Sequence, residues 1–476
     1  MKLYIETMGC PKNFNDSEGI GGIWEAAGLE TTDSLQEADA ILVNTCGFIN
    51  DAKQESIEKI FDMARFISDS QEAERSASGN RVDDSGQRSG GDIGGKGRDD
   101  RRILIVSGCL TQRYGEELAG EMPEVDIFLG VNDYERLPQI VRDFKRDKKR
   151  KTAFSCQPEG FMEFSARKLS DKPYSETLRI AEGCDNCCTY CVIPQIRGGY
   201  RSRPMEKILE EAELLASGGC REVILIAQDV TEYGRDLYGR LMLPELLKKL
   251  CMIEGISWIR LMYCYEDKIT DELIEVMAAE EKICHYVDIP LQHVSDAVLA
   301  SMNRRSTTES IKSTIASLRR AIPDIHIRTT LIVGFPGESE EDFDILLDFV
   351  EKTRFERLGV FAYSQEEGTV AGDMPNQVDE DVKAMRADTV MRRQMDISRE
   401  INEAKVGNTI PVMVDGMDEA GAYAGRSAYD APEIDNTVIF EADRRLEPGD
   451  IVPVRIEDAF DYDLVGRLEE NDEFTE

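Results

Sequence analysis

The sequence predicts an α/β protein with three parts: an open parallel α/β sheet, a partial (β/α)6, TIM-like barrel and a small carboxyl-terminal β-barrel. Its length of 476 residues suits about three domains. Strand-like and helix-like segments alternate over residues 1–145 and again over residues 170–400, which is typical of parallel sheets covered by helices. From residue 404 to 472, short alternating segments separated by Gly, Pro and Asp indicate the small barrel.

The first part, residues 1–145, has four strand-like and three helix-like segments. The predicted strands are Lys2–Thr7, Ile41–Thr45, Ile103–Ser107 and Val125–Leu129. The predicted helices are Asp16–Ala27, Asp51–Phe66 and Thr111–Leu118. In an open parallel sheet, ligands bind beyond the carboxyl ends of the strands, so we look for function where these strands end.

Residues 68–102 interrupt this alternation. Only four of them are apolar, namely Ala73, Ala77, Val82 and Ile93. Such a segment cannot bury enough surface to offset the entropy of ordering it, so we expect a disordered insertion. The basic stretch Lys145–Lys151 is expected to be a solvated linker, with a phosphate-binding role as the alternative.

The second part, residues 170–400, predicts a sheet that curls into a partial barrel, with catalysis at the carboxyl ends of its strands. Its predicted strands are Thr177–Glu182, Val223–Gln228, Trp258–Tyr263, Tyr286–Ile289, Ile327–Val333 and Leu358–Tyr363. Its predicted helices are Pro204–Ser217, Pro244–Cys251, Asp271–Ala278, Asp296–Arg304, Glu309–Ala321 and Glu340–Lys352. A long helix, Asp379–Lys405, then leads to strands at Thr409–Val414, Thr437–Phe440 and Ile451–Ala459.

Charge and hydropathy narrow the class of protein. Lys and Arg number 57 against 93 Asp and Glu, a net charge of −36. Such a chain repels a phosphate backbone and attracts a basic partner, although a general solubility trait explains the charge equally well. No apolar run approaches the ~18 residues of a membrane span, and the amino terminus lacks a signal-peptide pattern. We therefore expect a cytoplasmic protein with no membrane association.

The most informative motif is a cysteine loop after the first predicted barrel strand, in which Cys184, Cys188 and Cys191 have CxxxCxxC spacing. Three thiolates can hold a 4Fe–4S cluster and leave one iron open. An open iron can chelate the amine and carboxylate of S-adenosylmethionine (SAM) and pass an electron into its sulfonium, which yields a 5′-deoxyadenosyl radical. Structural zinc sites need four ligands, and no second cysteine pair lies within sequence reach. Cys187 falls outside the spacing and is taken as a bystander, though it could compete for iron.

A second set of cysteines follows three successive strands of the first part. Cys10, Cys46 and Cys109 lie in the turns MGCP, NTCG and SGCL. Equivalent ends of parallel strands converge, so we favour a second cluster over three unrelated buried cysteines. The other five cysteines outside the loop are interpreted as small hydrophobic residues: Cys156, Cys220, Cys251, Cys264 and Cys284.

Four residues are candidate cofactor contacts. Gln228 and Asp229 end the second barrel strand, and Gly334 and Gly337 lie in the turn after a late strand. Asp229 as a helix N-cap and the glycines as an ordinary strand-to-helix turn are the alternatives. We assign no catalytic residue beyond the cluster ligands.

Taken together, these motifs resemble those of the radical SAM methylthiotransferases. The resemblance rests on MGCPKN at Cys10, NTCGF at Cys46, SGCLTQRY at Cys109 and GCDNCCTYCVIP from Gly183, and it covers nearly the whole chain apart from residues 68–102. It implies an amino-terminal methylthiotransferase domain (1–145), a radical SAM core (170–400) and a TRAM domain (404–472). The family usually has Arg where this chain has Cys187, a departure that bears on local cluster packing or oxygen sensitivity.

Within the family, the chain resembles the RimO-type branch, which modifies an aspartate of ribosomal protein S12. The similar motifs are GCPKN followed by Asp16-Ser17-Glu18, and GRS with DAPEID over residues 425–435, in the domain expected to grip substrate. Charge agrees, because residues 404–476 carry 6 Lys and Arg against 19 Asp and Glu, a net of −13. A basic ribosomal protein would be attracted to this region, whereas transfer RNA would be repelled.

The resemblance implies two 4Fe–4S clusters with SAM as radical source and methyl donor. Cys184, Cys188 and Cys191 would hold the cluster that cleaves SAM. The radical would abstract hydrogen from the aspartate β-carbon, and the cluster on the other set would supply methylated sulfur. The implied partners are a basic ribosomal protein and an electron donor such as flavodoxin or ferredoxin, without direct nucleic-acid binding. The alternatives are methylthiolation of isopentenyl-adenosine in transfer RNA and a non-catalytic metal-binding module.

Overall fold

The computed structural model describes residues 1–79, 101–156, 160–169, 172–419 and 421–469. They form two compact units. The first comprises Met1–Leu169 together with Val192–Gly198, and the second comprises the rest of the described chain. Among the described helices, none combines the length and the apolar character that crossing a bilayer requires.

The first unit is a parallel sheet covered by helices, as predicted, but the sheet has six strands where four were predicted. Its strands are β1 (Lys2–Thr7), β2 (Glu30–Thr31), β3 (Ala40–Thr45), β4 (Ile103–Gly108), β5 (Ile127–Leu129) and β6 (Lys151–Ala153). Its helices are α1 (Pro11–Ala26), α2 (Asn50–Gly79), α3 (Cys109–Glu121), α4 (Leu137–Asp147) and α5 (Ile193–Ile196). The strand order is β2-β1-β3-β4-β5-β6.

The central strands of this sheet are apolar because both of their faces are covered. Every residue of β3 and β4 is buried. On one face Leu42 packs in a cluster with Trp24 of α1. On the other face Ile41 packs in a cluster with Ile60 of α2. The core therefore lies on both sides of β3 and β4, and it fixes where these two strands end.

The predicted disordered insertion at residues 68–102 is wrong for its first part. Residues 68–79 continue α2, which ends at Gly79. Their Glu, Gln, Ala and Arg residues are good helix formers, and the buried side chain of Ile67 anchors the preceding turn. Most of the remaining predicted insertion, residues 80–100, lies outside the described residues.

The basic stretch Lys145–Lys151 is not a linker, which corrects the prediction. Lys145 lies in the last turn of α4, and Lys151 begins β6. Between them, Arg150 donates hydrogen bonds to the backbone carbonyls of Val125 (3.0 Å) and Met122 (3.2 Å). The stretch therefore belongs to the folded unit, and Arg150 fastens it to the chain that follows α3.

The second unit contains a six-stranded parallel sheet, which confirms the predicted partial barrel. The six strands are β7 (Ser175–Arg179), β10 (Glu222–Ile226), β11 (Trp258–Leu261), β12 (Ile283–Gln292), β13 (His326–Val333) and β14 (Arg357–Ala362). Two further strands, β8 (Ala181–Glu182) and β9 (Arg201–Ser202), lie outside this sheet. The order is β14-β13-β12-β11-β10-β7, and β8 pairs with β9 as a separate antiparallel ribbon. Its helices are α6 (Met205–Ser217), α7 (Arg235–Tyr238), α8 (Leu243–Cys251), α9 (Asp271–Ala279), α10 (Asp296–Ser301), α11 (Thr308–Ala321), α12 (Glu340–Thr353) and α13 (Glu380–Glu403).

A closed five-stranded barrel completes the second unit, as predicted. Its strands are β15 (Thr409–Met417), β16 (Tyr423–Ser427), β17 (Val438–Glu441), β18 (Ile451–Ala459) and β19 (Leu464–Leu468). They follow one another in the order β15-β16-β17-β19-β18. The side chains of Val412, Phe440 and Val454 are among those that fill its interior. Two of its strands, β16 and β19, were not predicted, because their glycines and charged residues weaken the alternation.

The DAPEID stretch lies in the domain expected to grip substrate, and two of its carboxylates are used inside the unit. The Asp430 carboxylate accepts a hydrogen bond from Arg357 Nε of β14 at 2.9 Å. Tyr286 of β12 donates from its hydroxyl to the Asp435 carboxylate at 2.7 Å. Both carboxylates are buried. These residues fasten the small barrel to the six-stranded sheet and are not available to a substrate.

Candidate active site

Three cysteines of the first unit follow neighbouring strands, and we call this set the strand-end site: Cys10, Cys46 and Cys109. Their strands β1, β3 and β4 pair side by side in parallel. Cys10 directly precedes α1, Cys46 directly follows β3, and Cys109 is the first residue of α3. The predicted positions after three strands are therefore found at one edge of the sheet.

Glycines let these turns approach one another closely. A Cβ on Gly9, beside Cys10, would lie 2.9 Å from Cβ and 3.2 Å from Sγ of Cys46. A Cβ on Gly47, beside Cys46, would lie 2.7 Å from the backbone of Leu110. Gly9 also has φ of +96°, a conformation that disfavours any other residue. The turns pack at distances that only glycine allows, and they bring the three cysteines together.

Asn13 connects all three turns, although the sequence analysis did not single it out. Its Nδ2 donates to the carbonyls of Met8 (2.8 Å) and Thr45 (3.1 Å), which flank Cys10 and Cys46. Its Oδ1 lies 3.7 Å from the Sγ of Cys109, whose thiol donates to it. The only signal in the sequence was its place in MGCPKN, three residues after Cys10.

A buried arginine also reaches the strand-end site. Arg197 pairs with Asp16 at 2.7 Å, and the two side chains are 4% and 0% exposed. Its Nη2 donates to Cys109 Sγ at 3.3 Å and to Asn13 Oδ1 at 3.2 Å. Sequence reasoning missed Arg197 because it lies just after the other cysteine motif, yet it belongs to the first unit.

Burial disfavours the charged form of these thiols. It raises the pKa of Cys109 to about 12, an effect that Arg197 opposes. Burial also raises the pKa of Cys46, and the backbone N–H of Phe48 opposes it. Negative charge on Cys10 raises both pKa values further. A bound metal favours the charged thiolate form instead, because metal-bound thiols are deprotonated.

The second set, which we call the loop site, comprises Cys184, Cys188 and Cys191. The loop begins after β8 at Gly183, where φ is +80°. Cys184 and Cys188 are buried, and the backbone N–H of Cys191 donates to the carbonyl of Cys188 at 3.1 Å. Burial raises the pKa of Cys184 to about 11.

Cys187 differs from the cysteines of the loop site in its exposure. Its side chain is exposed, whereas its neighbour Cys188 is buried. The thiol of Cys187 is directed at the carbonyl of Asp185 (3.7 Å), and Asn303 donates to the carbonyl of Cys187 at 2.7 Å. Its orientation is consistent with the bystander role predicted from spacing.

Asp229, which lies just after β10, anchors the loop. Its Oδ2 accepts from Asn186 Nδ2 (2.8 Å) and from Lys268 Nζ (2.5 Å). Its Oδ1 accepts from the backbone N–H of Glu232 at 3.2 Å, so the alternative N-cap role is present as well. Its predicted neighbour Gln228 donates from Nε2 to Glu182 at 3.0 Å. Asp229, which was predicted to contact the cofactor, thus holds the loop in place.

The two predicted glycines occupy a turn in the left-handed region of φ. Gly334 has φ of +72° and Gly337 has φ of +83°. A Cβ on Gly334 would overlap the side chain of Lys383, whereas one on Gly337 would meet nothing within 4 Å. The structure therefore explains Gly334 by internal packing. Cofactor contact at either glycine stays a prediction.

A buried arginine accompanies the loop site, and it was also missed from the sequence. Arg304 donates from Nη1 to the Tyr190 hydroxyl at 3.4 Å and lies over the ring of Tyr265 at 4.8 Å. Burial, with negative charge on Cys188, raises the pKa of Tyr190 well above its usual range. Arg304 therefore supplies positive charge close to this set of thiols.

The sequence matches described families over most of its length. It matches the Radical SAM superfamily over residues 178–350, the TRAM domain over residues 406–468 and Uncharacterized protein family UPF0004 over residues 2–75. A ribosomal protein uS12 methylthiotransferase RimO from Geobacter sulfurreducens is 46% identical over 98% of this chain and 98% of its own. One from Lachnoclostridium phytofermentans is 45% identical over 98% of this chain and 100% of its own.

The chain belongs to the radical SAM methylthiotransferase family. The resemblance noted from the cysteine motifs is therefore confirmed, and so is the assignment as an enzyme of this class.

Solved structures place this methylthiotransferase among other radical SAM folds. The radical SAM methyltransferase TsrM from Kitasatospora setae, with cobalamin and a 4Fe-4S cluster bound, aligns with a TM-score of 0.53 at 12% identity over 78% of this chain and 77% of that chain. The same enzyme with tryptophan substrate and a SAM analogue aligns with a TM-score of 0.52 at 11% identity, over 88% of this chain and 79% of that chain. At these identities the likeness concerns the fold alone.

As a radical SAM methylthiotransferase, the protein uses SAM and two 4Fe–4S clusters. The donors present fit such clusters, since each site offers three thiols. Among the described residues, no three His, Cys, Asp or Glu side chains are arranged to ligate one metal ion. A 4Fe–4S cluster binds each thiolate to a different iron, so its ligands stand farther apart than those of a single zinc ion.

Proposed function

We propose that this protein methylthiolates the β-carbon of an aspartate residue in ribosomal protein uS12. The observation that carries the proposal is the agreement, over 98% of the chain, with relatives named as methylthiotransferases of ribosomal protein uS12. The presence of two separate trios of cysteines supports it, because the reaction needs one site for radical formation and another for sulfur.

Each trio takes one role in this proposal. Cys184, Cys188 and Cys191 hold the cluster that binds SAM, and the strand-end site holds the auxiliary cluster. The chemistry that the two groups supply when bound is cleavage of SAM to a 5′-deoxyadenosyl radical, hydrogen abstraction from the aspartate β-carbon and delivery of sulfur to that carbon. A radical is required, since no acid–base pair at neutral pH removes a hydrogen from an unactivated C–H bond.

The chain's own residues order the loop site. Lys268 and Asn186 hold the loop on the buried carboxylate of Asp229. Within the described part of the chain, the amide oxygen of Gln228 is buried and has no hydrogen-bond partner. That acceptor supports Gln228 as a contact to a donor group of SAM, because an unsatisfied buried acceptor costs about 1–3 kcal/mol.

The acidic small barrel favours a basic protein substrate. Residues 404–476 carry a net charge of −13. Because the carboxylates of Asp430 and Asp435 are buried, exposed acidic residues such as Asp443, Glu457 and Asp458 are left to attract this substrate. We further propose a cytoplasmic reaction, an electron donor of the flavodoxin or ferredoxin kind and no direct contact with nucleic acid.

The test is anaerobic incubation of reconstituted enzyme with SAM and reductant, separately with recombinant uS12 and with transfer RNA. We expect uS12 to gain the mass of one methylthio group in place of hydrogen, on the peptide that contains the aspartate. A Cys156→Ser variant is the matched control and should retain the activity, because this exposed cysteine belongs to neither site. Modification of transfer RNA without modification of uS12 would overturn the proposal.

A further inference from the structure

The strand-end site contains a cation that the reaction scheme does not use. Arg197 donates to Cys109 Sγ at 3.3 Å and pairs with Asp16 at 2.7 Å. The three side chains are almost completely buried. In such a place charges are weakly screened by solvent, so the guanidinium acts strongly on the sulfur.

Packing and a backbone hydrogen bond hold Arg197 in this position. It follows the single turn α5, and its N–H donates to the carbonyl of Ile193 at 2.8 Å. Val192 and Ile196 pack in one buried cluster with Cys109 itself. The segment is therefore fixed against the cysteine that its arginine contacts.

An arginine beside a ligand sulfur has a definite electronic effect. Its guanidinium stays charged at all relevant pH values. Hydrogen bonds to the sulfurs and nearby charge help to set the reduction potential of an iron–sulfur cluster. Positive charge favours the reduced state, which carries one more electron. The Asp16 carboxylate opposes this effect because it neutralises part of the charge.

We propose that Arg197 is a positioning residue that orients the Cys109 thiolate and raises the reduction potential of the cluster bound at the strand-end site. Asp16 determines how much of the arginine's charge acts on the sulfur. The inference rests on the proposed function, because it takes Cys10, Cys46 and Cys109 as the ligands of the auxiliary cluster.

The experiment uses the full chain with Cys184, Cys188 and Cys191 all changed to Ala, so that one cluster remains. Its potential is measured by an anaerobic redox titration followed by electron paramagnetic resonance, and its iron content is measured in parallel. Two variants are added to this background. One carries Arg197→Met together with Asp16→Asn, which removes the hydrogen bond without leaving a buried unpaired charge. The other carries Asp16→Asn alone.

The two variants should move the potential in opposite directions. The variant with Arg197→Met and Asp16→Asn should have a reduction potential lower by about 59 mV for a one-electron couple. This shift corresponds to about a tenfold smaller equilibrium constant for reduction. Asp16→Asn alone should raise the potential, because the arginine loses its counter-charge. Arg136→Met is the matched control: this arginine pairs with Asp133 at 2.6 Å in the same unit and is 60% exposed, so the potential should not move.

Four results would contradict the proposal, and they are distinguishable. An unchanged potential in both variants at full iron content overturns the role of Arg197. A shift of the same sign in both variants indicates a merely structural role. Should the Arg197 variant fail to hold iron, Asp16→Asn alone decides, and an unchanged potential in that variant refutes the idea. If the background chain itself binds no cluster, the ligand assignment in the proposed function is wrong, and the inference falls with it.

Discussion

The strand-end site and the loop site present the same three donors but are assembled in different ways. The loop site comes from one short segment, so the spacing of Cys184, Cys188 and Cys191 is set by covalent geometry. The strand-end site comes from three turns that meet only because β1, β3 and β4 pair in register. One site depends on a local loop, and the other depends on the fold of a whole sheet.

The two sites also differ in how a buried arginine approaches them. Arg197 donates directly to a cysteine sulfur of the strand-end site. Arg304 contacts the Tyr190 hydroxyl and the Tyr265 ring beside the loop site. A charge that touches a ligand acts on that ligand's electronic state, whereas a charge that lies behind aromatic rings acts on the site as a whole.

The largest expected effect separates the two sites by function. Cys184→Ala should abolish SAM cleavage, and Cys10→Ala should leave SAM cleavage in place while abolishing methylthiolation. Both losses should exceed the about 10–100-fold cost of changing a residue that only supports a metal ligand. Measuring 5′-deoxyadenosine and modified uS12 in the same reactions checks this, and loss of SAM cleavage in Cys10→Ala would contradict the division of roles.

A substitution in the turns should damage the strand-end site alone. Gly9→Ala places a methyl group against Cys46 and requires φ of +96°, so we expect it to lower the free energy of unfolding by about 3 kcal/mol. Iron content should fall as the turns separate. Gly28→Ala is the control, because its φ is +77° but a Cβ there meets nothing within 4 Å, and it should cost only about 1 kcal/mol.

Denaturant unfolding with iron analysis measures both effects of these glycine substitutions. Equal losses of stability and iron in the two variants would show that the close approach of Gly9 to Cys46 is unimportant.

A substitution beneath the loop should damage the loop site alone. Lys268→Met removes the cation that joins Asp229 to Glu232, at 2.5 and 2.9 Å. We expect SAM cleavage to fall by about tenfold or more, with little change in iron at the strand-end site. Lys249→Met, which removes an ion pair of a half-exposed lysine, should leave both unchanged. A parallel loss of iron from both sites would argue against this local effect.

The units should also differ in their response to acid, because all three histidines lie in the second unit. Burial lowers the pKa of His293 to about 4 and that of His326 to about 3, from 6.5. The unfolded chain then binds more protons than the folded chain below pH 6.5, so stability falls as the pH drops. His293 alone accounts for about 2 kcal/mol by pH 5.

Hydrogen exchange at pH 7 and pH 5 can follow the two units separately. The second unit should lose protection first, and His293→Gln should reduce the difference between the two pH values. Equal loss of protection in both units would show that the buried histidines do not govern the acid response.

Most of the fold was predictable because its strands are strongly apolar and evenly spaced. All six strands of the partial barrel were predicted, with bounds that differ by a few residues. The elements missed were short or weakly patterned, as with β2 (Glu30–Thr31) and β6 (Lys151–Ala153), whose residues are mostly polar. The helix α4 was missed because its carboxyl end merges into the basic stretch at Lys145.

The candidate site was predictable in its donors but not in their surroundings. Spacing identified the six cysteines, and their positions after strands predicted that Cys10, Cys46 and Cys109 would converge. Neither signal pointed to Arg197 or Arg304, since both are distant in sequence from the groups they contact. Its position just after a predicted strand singled out Asp229. Its contacts with Asn186 and Lys268 could not be predicted from spacing.

The sequence by itself determined the kind of chemistry, because a CxxxCxxC loop carries its three thiolates wherever it folds. Only the tertiary structure decided which charges surround each site. It placed Arg197 against Cys109. It also buried Asp430 and Asp435 in hydrogen bonds with residues of the six-stranded sheet, where no substrate reaches them. The physical reason is that buried charges must find partners, and which partners are within reach depends on strand register and packing across the whole fold.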